Sequence, residues 1–151
     1  MKIFIGADHR GHAHKEKIKG ILHSKKYDVI DCGTHNSEES CDYPKVAYRV
    51  AREVSKSQDR RGILVCMSGI GQAMAANKVP GAYAALCYNP QAATLSRAHN
   101  NANILVVGAK FVKSSQLKKI IDNFLTTPFE GGRHERRINQ IKKIEKGIKL
   151  K

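Results

Sequence analysis

Ile63-Leu64-Val65-Cys66-Met67-Ser68-Gly69-Ile70-Gly71 is the stretch on which the fold turns. Its first four residues are apolar at every position, too few for a helix, and they break into a turn of small residues that opens a helix. A strand without polar alternation is covered on both faces, the condition of a parallel sheet flanked by helices. Working outward, similar short runs occur at Ile3–Ile5, Val29–Ile30, Ala82–Leu86 and Ile104–Val107, each ending in a Gly, Asp, Cys or Asn cluster. Helical spacing lies between them, as in Val46, Ala47, Val50, Ala51 and Val54 behind Pro44, whose fixed φ suits a first turn. The pattern predicts a doubly wound α/β domain, a three-layer sandwich with a five-stranded parallel sheet. A helix over about Ser114–Leu125 follows the last strand. Then come the turn Pro128-Phe129-Glu130-Gly131-Gly132 and an extra C-terminal helix over about 131–148. That helix carries Ile138, Ile141, Ile144 and Ile148 on one side, a stripe that needs either its own domain or a partner chain to cover it.

The chain has 151 residues, 41% of them hydrophobic, which suits one domain with one core. No run approaches the roughly 18–20 apolar residues of a membrane span, and the N-terminal apolar run breaks at Gly6. The expectation is a soluble cytoplasmic protein without a membrane partner. Cys32, Cys41, Cys66 and Cys87 lack C-x-x-C spacing, so reduced thiols and no structural zinc are expected. A net charge of +14 invites a nucleic-acid reading. The bases, however, concentrate in residues 10–26 and 131–151, which read as helices with solvated basic faces, and no aromatic-interleaved RNA motif accompanies them. No nucleic-acid partner is expected.

Ligands of open parallel sheets bind beyond the C-terminal ends of the strands. There the first strand runs into Gly6-Ala7-Asp8-His9-Arg10-Gly11, which reads either as a binding rim or as a plain helix cap with an exposed imidazole. The turn after Cys66 resembles a dinucleotide fingerprint only loosely. Met74 stands at the third glycine, and no Asp or Glu occurs between Arg60 and Ile121 to hold a ribose. The same lack of acids leaves Cys66 as the candidate proton acceptor over this turn, with a helix N-terminus expected to lower its pKa; the plainer reading is a buried strand cysteine. Leu95-Ser96-Arg97-Ala98-His99-Asn100-Asn101 closes a helix, so His99 is either a cap or an acid/base. Arg133 and Arg137 stand four apart on one helix face, a pair of forks suited to a phosphate or simply solvated surface.

Taken together, Gly6-Ala7-Asp8-His9, Asp31-Cys32-Gly33-Thr34, Asp42-Tyr43-Pro44, Cys66 with Ser68-Gly69-Ile70-Gly71, Ala75-Ala76-Asn77-Lys78, Leu95-Ser96-Arg97 with His99-Asn100, and Gly131-Gly132-Arg133-His134 with Arg137 resemble the ribose-5-phosphate isomerase B family, shared with the galactose-6-phosphate isomerase subunits. The resemblance implies a Rossmann-like fold and a homodimer or dimer of dimers with active sites near the subunit interface. It further implies no metal or cofactor, and interconversion of ribose 5-phosphate and ribulose 5-phosphate through an enediolate in the pentose phosphate pathway. It implies Cys66 as enolising base, His99 as ring-opening acid/base, and Ser68 with the loop Met67, Gly69, Ile70 and Gly71 around the enediolate. Asp8, His9, Asn100, Arg133 and Arg137 are implied as substrate contacts. One branch of the family has a glutamate base where this chain has Gln72, so the cysteine branch is the match. Met67 replaces a usual glycine, Ser68 a common threonine, and Tyr83 and Lys110 frequent arginines. The other readings are an isomerase of galactose or allose 6-phosphate, one subunit of a heteromeric isomerase, and a non-catalytic phosphate- or RNA-binding module.

Overall fold

A computed structural model describes residues 1–150. Strands β1 (Lys2–Ala7), β2 (Asp28–Asp31), β3 (Arg60–Cys66), β4 (Ala84–Leu86) and β5 (Ile104–Gly108) form one parallel sheet in the order β2-β1-β3-β5-β4. They alternate with α1 (His12–Ser24), α2 (Tyr43–Val54), α3 (Ile70–Ala76) and α4 (Pro90–Ala98), and α5 (Ser114–Thr126) and α6 (Arg133–Glu145) follow β5. The fully apolar runs occupy the centre: every residue of β5 is buried, as is β3 from Gly62 onward, whereas edge strand β2 alternates. Right-handed crossovers decide which face each helix covers. Steps one way across the sheet put α2 and α3 on one face, and steps back put α1 and α4 on the other, with α5 beside them. The α2 stripe Val46, Ala47, Val50, Ala51 and Val54 is at most 2% exposed, and each buried valine contributes about 1.5–3 kcal/mol.

Three expectations change. The fourth strand starts at Ala84 rather than Ala82, because Gly81 (φ 81°) makes a turn that the Ala82 N–H closes on the Val79 carbonyl. The Asn77 amide then pairs with the outer edge of this strand, donating to the Ala84 carbonyl (2.9 Å) and accepting from the Ala84 N–H (2.8 Å). The last helix is shorter than 131–148, bounded by the left-handed backbone of Gly132 and Gly147. Of its isoleucine stripe only Ile138 is buried; Ile141, Ile144 and Ile148 remain exposed. Third, the basic stretch 10–26 is not wholly solvated surface. Lys15 is fully buried, and its ammonium donates to both oxygens of Asp31 (2.9 and 2.8 Å) and to the Thr34 carbonyl. That pin holds the segment whose Gly33 carbonyl and Thr34 N–H continue β1 pairing at Ala7.

Candidate active site

At the C-terminal edge of the sheet, β3 delivers Cys66, 6% exposed, into the turn before α3. Gly69 (φ 85°) turns the chain so that its N–H donates to the Cys66 Sγ at 3.3 Å. A Cβ there would strike Leu86 at 2.4 Å in a backbone conformation that side chains resist, so glycine is required. Burial pushes the Cys66 thiol pKa up, and the nearby Asp8 carboxylate adds to this; the N–H groups of Gly69, Ser68 and Gln72 oppose it without prevailing. This corrects the expected lowering: α3 has only seven residues, and desolvation outweighs its dipole. The free chain therefore holds a protonated thiol at neutral pH, with donors waiting for negative charge.

The remainder of the turn is anchored from both sides. The Ser68 Oγ accepts from the Ile70 N–H at 3.3 Å, and the Tyr88 hydroxyl donates to the Ser68 carbonyl at 3.2 Å. Ala109 and Lys110 N–H groups donate to the carbonyls of Cys66 and Met67, carrying β5 pairing into the loop. Gly71 lies against the Tyr43 ring. Ile70 and Met67 are exposed, and the Arg10 Nη1 reaches the Met67 Sδ at 3.0 Å.

Asp8 and His9 leave β1 beside this turn. Asp8 is buried and accepts from the Gly11 N–H at 2.8 Å, closing the turn ahead of α1; the N-cap of that helix is Gly11, without a side-chain cap, so Asp8 is not the plain helix cap of the alternative reading. The His9 Nδ1 accepts from the Cys41 N–H at 3.3 Å, which leaves Nε2 as the outward nitrogen.

The other expected residues lie elsewhere. Helix α4 runs back from the C-terminal edge, so His99, its C-cap, and Asn100 arrive at the N-terminal edge of the sheet. The Asn103 N–H donates to the Tyr83 carbonyl and the Gly62 N–H to the Asn103 carbonyl, tying this segment to the starts of β3, β4 and β5. One chain thus separates Cys66, Ser68, Asp8 and His9 from His99 and Asn100 by the length of β5, about 15 Å at 3.3 Å per residue. Arg133 and Arg137 are exposed on the first turns of α6, and Arg133 Nε points to the His134 Nε2 at 3.5 Å, on the His99 side. His99 and His134 stack with ring centroids 4.1 Å apart and planes 7° from parallel, and their Nε2 atoms lie 3.7 and 3.6 Å from one Glu130 oxygen. An apolar groove of about 500 Å³ beside Asn100 is lined by Ala82, Tyr83, Ile138, Ile141 and Ile144.

Reading the sequence left Arg10, Tyr43, Tyr88 and Glu130 without roles. Their contacts are between elements, which a local motif does not specify even where it contains the residue, as Asp42-Tyr43-Pro44 contains Tyr43. The signal for the division was present: a residue at the end of a crossover helix, just before a parallel strand, must lie at the N-terminal edge.

A family profile described as Ribose/Galactose Isomerase matches residues 3–141. The chain is 46% identical over 147 residues to a probable ribose-5-phosphate isomerase B of Mycoplasma genitalium, covering 97% of each, and 42% identical over 144 residues to ribose-5-phosphate isomerase B of Escherichia coli, covering 95% of this chain and 96% of that one. Among solved structures, ribose-5-phosphate isomerase B of Clostridium thermocellum superposes with a TM-score of 0.94 at 46% identity, covering 97% of this chain and 99% of that one. The Mycoplasma genitalium enzyme with bound ribulose-5-phosphate superposes with a TM-score of 0.92 at 45% identity, covering 96% of each. Fold, motif order and these likenesses agree over nearly the whole length, and the chain belongs to the ribose/galactose isomerase family.

Proposed function

We propose that this chain interconverts ribose 5-phosphate and ribulose 5-phosphate, with Cys66 as the group that moves the carbon-bound proton. The observation that carries the reading is the Cys66 thiol, nearly buried at the end of β3, with backbone N–H donors around it and no carboxylate on its own loop. The relative solved with ribulose-5-phosphate supports the choice of sugar. His99 opens the furanose by taking the anomeric hydroxyl proton and returning one to the ring oxygen. Cys66, as thiolate, takes the proton from C2 and delivers it to C1, and the hydroxyl proton at O2 passes to O1 as the carbonyl moves to C2. N–H groups of the Met67–Gly71 turn and the Ser68 hydroxyl face the negative oxygens of the enediolate; one such donor is typically worth about 2.7–4 kcal/mol. Arg133 and Arg137, with His9, hold the phosphate away from the bonds that change.

This assignment needs both edges of the sheet in one site, so the working unit is a two-fold dimer in which Cys66 of one copy faces His99, Asn100, Arg133 and Arg137 of the other. The exposed Ile141 and Ile144 beside Asn100 support a buried contact there. Asp8 contributes by fixing the rim, and its negative charge disfavours the thiolate, which the N–H donors of the turn offset in part.

The test is turnover of ribose 5-phosphate by wild type and Cys66→Ala without added metal, with allose and galactose 6-phosphates in parallel. Activity on ribose 5-phosphate that drops by about 10²–10⁴ in the variant is expected. Undiminished activity in Cys66→Ala removes the thiol from that role, and preference for a six-carbon sugar reassigns the substrate.

A further inference from the structure

His99, Glu130 and His134 come from three pieces of chain that share one frame. The Glu130 N–H donates to the Ala98 carbonyl at 3.0 Å, which locks the turn before α6 onto the end of α4. The His134 N–H donates to the Gly131 carbonyl at 3.0 Å, closing the first turn of α6 over the same place. Two imidazoles and a carboxylate result, with one ligand atom from each all within 4.8 Å of one another. Zinc holds imidazole nitrogen at about 2.0–2.1 Å and carboxylate oxygen at about 2.0–2.2 Å, which places tetrahedral ligand atoms about 3.3 Å apart. The two Glu130 separations, 3.7 and 3.6 Å, are already close to that.

We propose that His99, Glu130 and His134 form a binding site for a transition-metal ion of the zinc type, which on binding takes the His99 Nε2 and stops turnover. All three donors belong to one chain, so the site does not depend on assembly. Its inhibitory consequence rests on the role of His99 proposed above.

The donor set selects the ion. Two nitrogens and one oxygen with an open fourth position suit Zn²⁺ or Co²⁺, whereas Mg²⁺ prefers oxygen ligands and octahedral geometry. Arg133, whose Nε approaches the His134 Nε2 at 3.5 Å, and Arg137 one turn on repel any cation. Only an ion that gains strongly from imidazole bonding overcomes this, which again excludes Mg²⁺. His134 is 7% exposed, so its ring is held in place beside Glu130. The Arg133 Nε–H donates to that same His134 Nε2, so the ion must displace this hydrogen bond, and the exposed position of Arg133 leaves its guanidinium room to move aside. A metal must also lie in the plane of each ring, and stacked parallel rings do not share such a point. His99, on a helix end with its side chain 36% exposed, is the ring that turns. In that position its Nε2 lone pair is committed to the metal and no longer moves a proton.

The experiment titrates untagged protein with Zn²⁺ against a chromophoric chelator, and with Co²⁺ by absorption, while isomerase activity is followed in parallel. One ion per chain is expected, with tetrahedral cobalt absorption lacking a thiolate-to-cobalt band, loss of activity as the site fills, and full recovery with chelator. Mg²⁺ neither binds nor inhibits. Glu130→Gln, at an exposed position, weakens Zn²⁺ binding by about tenfold or more, His134→Asn does the same, and Cys66→Ala leaves binding unchanged. Binding that ignores both Glu130→Gln and His134→Asn, or that disappears in Cys66→Ala, overturns the site. Binding that follows the expected pattern while turnover continues overturns the inhibition and the role of His99, and leaves the site standing.

Discussion

The two edges of the sheet hold the two halves of the proposed site, and they are built by different means. At the C-terminal edge the backbone does the positioning: Cys66, Gly69 and Asp8 are buried, and their partners are main-chain N–H groups. At the N-terminal edge side chains do it. His99 and His134 lean on each other and on an exposed Glu130, and two exposed arginines follow. A backbone-built half is rigid and shaped for a small, developing charge. A side-chain half, at the end of one helix and the start of another, can adjust to a sugar that must open and turn.

The sharpest way to break this comparison is subunit mixing. Cys66→Ala and His99→Asn are each expected to lose activity by about 10²–10⁴. Co-refolded in equal amounts, they regain about a quarter of wild-type turnover, because half the two-fold dimers are mixed and one of their two sites carries both native residues. No recovery in a mixture shown to contain mixed dimers would mean that the halves do not meet across copies.

A second contrast concerns stability. Lys15→Met leaves the half-buried Asp31 with Lys19 alone and removes the pin on Thr34, and roughly 3 kcal/mol is expected to be lost in denaturant unfolding. Lys143→Met, on the exposed side of α6, should change stability by no more than about 0.5 kcal/mol. Equal losses would deny that the C-terminal edge is the rigid one.

The smallest effects are with pH. Lys15 and Lys19 hold the Asp31 carboxyl at about 2 against an ordinary 3.8, despite burial, which alone would raise it. The native state therefore binds fewer protons there than the unfolded chain. That stability is present above about 4 and is lost as pH falls from there towards 2. For Cys66 the sign is opposite. Its raised pKa leaves a small thiolate fraction at neutrality, so kcat/KM should climb from pH 7 towards 9, up to tenfold per unit, and Cys66→Ser should abolish the climb. A flat profile would separate the rate from the thiol.

Much of this was legible from residues. Apolar runs such as Ile63–Cys66 and Ile104–Val107 announced central strands because covered strands need no polar alternation. The Asp8-His9 and Cys66–Gly71 motifs landed together at one rim because both follow parallel strands. The β2-β1-β3-β5-β4 order was not legible, since nothing in the short Ala84–Leu86 segment says it crosses beyond β5. Nor was the burial of Lys15, which depends on Asp31 arriving from another element. The thiol pKa went the other way because desolvation depends on enclosure, which sequence spacing does not measure.

The Asn77 amide against Ala84 has one more consequence. Strand β4 ends the sheet, and an open strand edge invites pairing with any passing extended chain. By filling both hydrogen bonds of Ala84 with a side chain, the molecule shortens the free edge of this three-residue strand. On the opposite edge, β2 is only four residues long, which limits addition there. Both ends of the sheet thus offer little for fibre-like growth, because an amide covers part of one edge and the other is short.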